Sequence, residues 1–116
     1  MSDTTPKPLR IPFDRRNTIL STSLVHANPK QRRGILQHCD SKFIHCICEI
    51  ILNYLQGVIP LQDKEKRKLK KYKKILRQLI SKISWITKKK IILKYCISIL
   101  GLLITPIINL LYKNLP

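Results

Sequence analysis

The residues best suited to chemistry lie in "HCDSKFIHCIC", where His38, Cys39, His45, Cys46 and Cys48 fall within eleven positions. Thiolates and imidazoles in such density suit zinc. The spacing does not. Cys46 and Cys48 are two apart in a helical pattern, so their side chains diverge and cannot share one ion. Cysteine also packs well as a small apolar side chain, and that is the expectation here. A Cys–His nucleophile needs a third orienting group and a cleft; His45 and Cys46 are neighbours on a helix and face different ways. Six Asp and Glu in the whole chain leave little room for paired-carboxylate catalysis. No residue set fulfils the roles of an active site, so neither an enzyme nor a cofactor is expected.

The stronger signal is charge. The 116 residues carry 23 Lys and Arg, a formal net charge of +17. Such a field repels other copies and attracts polyanions. Gln62 to Lys94 holds 14 basic residues and two acids, Asp63 and Glu65. Solvated helices normally mix signs. Here Lys66, Arg67, Lys68, Lys70, Lys71, Lys73, Lys74 and Arg77 are almost uncompensated, and Lys88, Lys89 and Lys90 follow. These eleven are the candidate polyanion contacts. Lysine outnumbers arginine and only Tyr72 interleaves as an aromatic. That pattern favours contact with a phosphate backbone over base reading or stacking. Double-stranded DNA is the expected partner, with an anionic membrane as the alternative.

The elements that position these residues are helical. Residues 1–16, with Pro6, Pro8 and Pro12, read as a disordered arm. No secretory signal peptide is expected there, so the four cysteines are read as reduced thiols. A short helix is expected from Asn17 to Ala27, capped by Asn17 or Thr18. A second opens at Asn28 with Pro29 in its first position. A third opens at Asp40 and closes at Gly57. On it Phe43, Ile44, Ile47, Ile50, Ile51, Tyr54 and Leu55 cover a broad side, with Lys42, His45, Glu49, Asn53 and Gln56 as a polar stripe. A helix apolar over most of its circumference belongs at the centre of a bundle. One long basic helix is expected from about Asp63 to Ile83, turning Leu69, Tyr72, Leu76, Leu79, Ile80 and Ile83 inward. Ser84 then caps a helix running into the apolar end. The fold class is all-α: a bundle of three to four helices over residues 17–90, followed by an apolar tail over 91–116.

"HANPKQRRGILQHCDSKFIHCICEIILNYLQGVIPLQDKEKRKLKKYKKILRQL" resembles small basic proteins encoded by Polinton (Maverick) elements and adintoviruses. The resemblance rests on a helix ending near "ILQHCD", then "IHCICE", a helix closing on "LQG", and a lysine-rich helix leading to an apolar tail. It covers Ile19 to Leu93. The resemblance implies a virion-associated minor core or capsid protein that packs double-stranded DNA in the virion or host nucleus, with capsid proteins as partners. The tail "LKYCISILGLLITPIINLL" departs from the Gly/Ala/Leu-rich end expected of that group.

Tyr95 to Leu111 is uncharged. Its 17 residues approach the ~20 of a spanning helix, with lysines before it and tyrosines at both ends. Ile97, Leu100, Leu102, Leu103, Ile104, Ile107, Ile108, Leu110 and Leu111 are the candidate lipid contacts. Pro106 should kink or end the helix near Ile104. Lys94, Ser98, Gly101, Thr105, Asn109 and Tyr112 share one narrow polar stripe. The tail carries more large aliphatics than a small core is expected to cover. It is therefore expected to meet lipid, a partner or another copy, and a tail-anchored membrane protein is the alternative reading.

Overall fold

The computed structural model describes residues 14–113, with side chains to Asn109. It is an all-α bundle. Residues 1–13, most of the expected arm, lie outside the described residues. Helix α1 (Arg15–His26) begins earlier than its sequence suggests, because Asp14 accepts from Asn17 N at 2.7 Å. The cap is therefore neither Asn17 nor Thr18; Asn17 is buried.

Helix α2 (Pro29–Gln37) opens as expected. Asn28 Oδ1 accepts from Gln31 N, and Gln31 Oε1 accepts from Asn28 N, a reciprocal capping box. Helix α3 (Ser41–Leu55) is capped by Asp40. Its end is a Schellman turn: Gly57 N donates to Tyr54 O, Val58 N donates to Asn53 O, and Gly57 adopts φ +72°. Helix α3 is the central element, packing against three helices from the second half of the chain. Phe43, Ile44, Cys46, Ile47, Cys48, Ile50 and Ile51 are buried along it. The polar stripe is shorter than expected. Asn53 is buried, and its Nδ2 donates back to Glu49 O at 2.7 Å.

The expected long basic rod is two helices, α4 (Asp63–Lys70) and α5 (Lys73–Leu79). Like charges four apart weaken a helix. This stretch has five such pairs: Lys64–Lys68, Lys66–Lys70, Arg67–Lys71, Lys70–Lys74 and Lys73–Arg77. The break falls at Lys71 and Tyr72, where Tyr72 N donates to Leu69 O in a tightened turn. Helix α5 stops at Leu79, short of the expected Ile83. Ser81 Oγ bonds Gln78 O and interrupts the ladder. Ser84 then caps α6 (Trp85–Ile91) by accepting from Thr87 N.

The expected apolar C-terminal helix is present, and it packs into the bundle. A π-helical turn (Ile92–Cys96) and a 3₁₀ turn (Ile97–Ile99) join α6 to α7 (Leu100–Lys113), which packs on α1 and α3. The segment from Ile92 to Ile108 supplies nine of the 23 buried apolar residues described, so it is part of the core. Of the candidate lipid contacts, Ile97, Leu100, Leu103, Ile104, Ile107 and Ile108 are buried in the bundle and Leu102 is half-buried. The side chains of Leu110 and Leu111 lie outside the described residues. The expectation that a small core cannot cover this segment is corrected: α1 and α3 provide the second apolar surface. Of the expected polar stripe, Lys94, Ser98 and Asn109 are exposed, and Gly101 and Thr105 half-buried.

The interruption also lies elsewhere than expected. Helix α7 continues through Pro106, and the irregular turns precede it. A proline at 106 leaves the Leu102 carbonyl without its helical donor. The Tyr54 hydroxyl shares its one hydrogen between that carbonyl, at 3.3 Å, and the nearer carbonyl of Leu103. Upstream, Arg32 serves the irregular turn. Its guanidinium donates to Ile97 O at 2.9 Å and to Leu24 O at 2.8 Å. A Cβ on Gly101 would stand 2.9 Å from Arg32 Nη2, so the glycine makes room for that approach.

Candidate polyanion-binding surface

Helices α4 and α5 present their cations outward because the apolar residues among them point inward. Leu69, Leu76 and Leu79 are buried, and Tyr72 and Ile75 pack partly against the same core. That leaves Lys66, Arg67, Lys68, Lys70, Lys71, Lys73, Lys74 and Arg77 exposed. They occupy roughly 17 Å of chain at ~1.5 Å per residue, along which duplex DNA presents about ten phosphate charges.

Three of the acids are engaged at helix starts. Asp14 caps α1, Asp40 caps α3 and pairs with Arg16 at 2.7 Å, and Glu65 Oε1 accepts from Gln62 N. Among the described residues, no ion pair involves any cation from Lys64 to Arg77. No ion pair among the described residues therefore offsets the repulsion within this cluster.

The second lysine group differs. Lys90 is exposed, but Lys88 and Lys89 are half-buried. Lys89 Nζ donates to Gln37 O at 2.7 Å and to Cys39 O at 2.9 Å, closing the end of α2, and lies 5.7 Å from the Trp85 ring centre. A cation at a helix C-terminus is favourable there. Lys89 thus holds the fold, unlike its neighbours in α4 and α5. Nothing local marks that role, since Gln37 is 52 residues away.

The cysteine–histidine stretch is dispersed by its helix. Cys39, Cys46 and Cys48 are buried, whereas His38 and His45 are exposed. His45 Nε2 lies 3.7 Å from Glu49 Oε1, one turn along α3. Burial pushes the Cys46 thiol up to about 12, with Asp14 adding to the shift, so almost no thiolate forms at neutral pH. Among the described residues, no three His, Cys, Asp or Glu side chains converge as a metal site would need.

Compared with known proteins, the chain matches no family model, no curated protein and no solved structure, so the surface itself carries the functional argument.

Proposed function

We propose that this protein is a non-enzymatic structural component that binds double-stranded DNA through its phosphates, without reading sequence. Its setting is a viral or Polinton-like particle, as a minor core or capsid protein in the virion or host nucleus. The observation that carries the reading is the cation cluster of α4 and α5, exposed and unpaired among the described residues. A counter-charge relieves its repulsion, and a phosphate backbone supplies one. Tyr72 is half-buried against the core, which leaves the cluster without an exposed aromatic for stacking bases. The resemblance over Ile19 to Leu93 supports the particle setting.

The test is duplex binding by the full chain across a salt series, on unrelated sequences. With roughly 6–8 phosphates engaged, log affinity falls against log salt with a slope near −5 to −7. Replacing Lys70, Lys71, Lys73 and Lys74 by Gln flattens the slope by about 3–4, at ~0.9 for each phosphate left unneutralised. Sharp preference for one sequence, or no response to salt, overturns the reading.

A second reading, a tail-anchored membrane protein with its lysines on anionic lipid, is favoured by one observation. Trp85–Asn109 is a continuous run of 25 helical residues, long and apolar enough to cross a bilayer, though half of its most apolar window is buried in the bundle. Lipid contact requires that run to leave the core. Nuclease-sensitive sedimentation supports the first reading; extraction by detergent alone supports the second.

A further inference from the structure

Between the end of α3, the Val58–Leu61 connector and the inner flank of α4 and α5 lies an open groove of about 580 Å³. Its floor is hydrocarbon: Ile59, Leu69 and Leu76 are buried beneath it, and Leu61 is half-buried at its side. Lys66, Lys70 and Lys73 line it as well. Lys66 and Lys70 stand one turn apart on α4, and Lys73 opens α5 beside the same groove. The nearest acid in sequence, Glu65, lines the neighbouring groove and accepts from Gln62 N. An apolar floor beside a row of unpaired cations is complementary to a molecule apolar along its length and anionic at one end.

We infer that this groove binds a single-chain anionic amphiphile, its hydrocarbon on Ile59, Leu61, Leu69 and Leu76 and its phosphate or carboxylate head on Lys66, Lys70 and Lys73. The volume falls within the ~300–1,000 Å³ of small-molecule sites. The backbone around it suits hydrocarbon better than an extended peptide. Its walls are largely helical, with most backbone groups already bonded, and Pro60 in the connector has no N–H to offer. The site is separate from the duplex reading but shares three lysines with it, so the two ligands compete.

The probe is dodecyl phosphate, titrated calorimetrically into the full chain below its micelle threshold, with dodecanol and inorganic phosphate as single-feature controls. Saturable 1:1 binding is expected, with both controls far weaker. Leu61→Trp fills the groove and keeps every lysine; it abolishes dodecyl phosphate binding while leaving duplex affinity unchanged. Lys66, Lys70 and Lys73 changed together to Gln are surface substitutions; they weaken dodecyl phosphate by about tenfold or more, at up to ~1 kcal/mol per exposed charge contact. Helical circular dichroism of both variants confirms that the fold is retained. Dodecanol binding as tightly as dodecyl phosphate, inorganic phosphate doing so, or Leu61→Trp leaving binding intact overturns the inference. So does saturable binding of an acidic amphipathic peptide, sensitive to Leu61→Trp, where dodecyl phosphate fails. Failure of the duplex reading alone leaves the groove result standing, because Leu61→Trp separates the two.

Discussion

Tyr54→Phe removes one oxygen and nothing else, and it tests how α7 continues through a proline. In the native fold the Tyr54 hydroxyl shares its one hydrogen between the carbonyls of Leu103 and Leu102. Burial pushes its phenol well above the usual tyrosine range, so it stays a donor throughout the accessible pH range. The Leu102 carbonyl has no other source of a donor within the ladder, because residue 106 has no N–H. Leaving such a carbonyl unpaired costs about 1–2 kcal/mol. For a domain of this size that lowers Tm by roughly 5–15 °C. The assay is a thermal melt followed by circular dichroism, run as a double-mutant cycle with Pro106→Ala. An alanine at 106 restores the missing N–H, so Tyr54→Phe in that background should cost only a few tenths of a kcal/mol. Equal costs in both backgrounds would refute the reasoning, because the hydroxyl would then be stabilising something other than the proline gap.

Arg32→Met keeps the aliphatic stem but loses the bonds to Leu24, Val25 and Ile97; chemical denaturation should show a loss of about 2–3 kcal/mol, with Lys in the same place restoring little because it lacks the fork. Asp40→Asn retains an N-cap but not the charge. The bond from Phe43 N, and then Arg16, hold the Asp40 carboxyl below its ordinary value. Stability from that group is therefore present above the ordinary carboxylate value and lost as pH falls through the lowered one, so acid melts of wild type should be steeper there than those of the Asn variant.

Local chemistry was readable from the sequence. Asn28, Asp40, Ser84 and Gly57 act through neighbours three or four residues away, and each marks the helix boundary that its type implies. The central place of α3 followed from its width of apolar face. What escaped the sequence depends on distant partners. Asn53 reads as surface until its side chain is seen turned onto its own helix. Pro106 reads as a stop because Tyr54 lies some fifty residues earlier. Gly101 reads as one member of a narrow polar stripe, yet it accommodates a guanidinium from α2. The break at Lys71 and Tyr72 has a local cause in like-charge pairs, but a repulsion of a few tenths of a kcal/mol per pair does not by itself place a break.

The apolar segment separates the readings most sharply, through a chain ending at Lys90. If the segment were an appendage, such a chain would fold unchanged and merely lose its affinity for lipid. In this fold the cut removes nine buried residues and both latches, the Arg32 bond to Ile97 and the Tyr54 bonds beside Pro106. Each large aliphatic is worth about 1.5–3 kcal/mol when fully buried. Eight of the nine are Ile or Leu, together about 12–24 kcal/mol, as much as or more than the ~5–15 kcal/mol by which a domain is stable at all. The shortened chain should therefore lose its cooperative melt and expose Cys46 and Cys48 to thiol reagents that the full chain resists. Its affinity for duplex should survive in part and remain steeply salt-dependent, because a flexible run of lysines still neutralises phosphates. A cooperative melt near the full-length Tm would show that the bundle closes without the segment. The same nine side chains would then be free for a bilayer, and the anchor would become the better account of them.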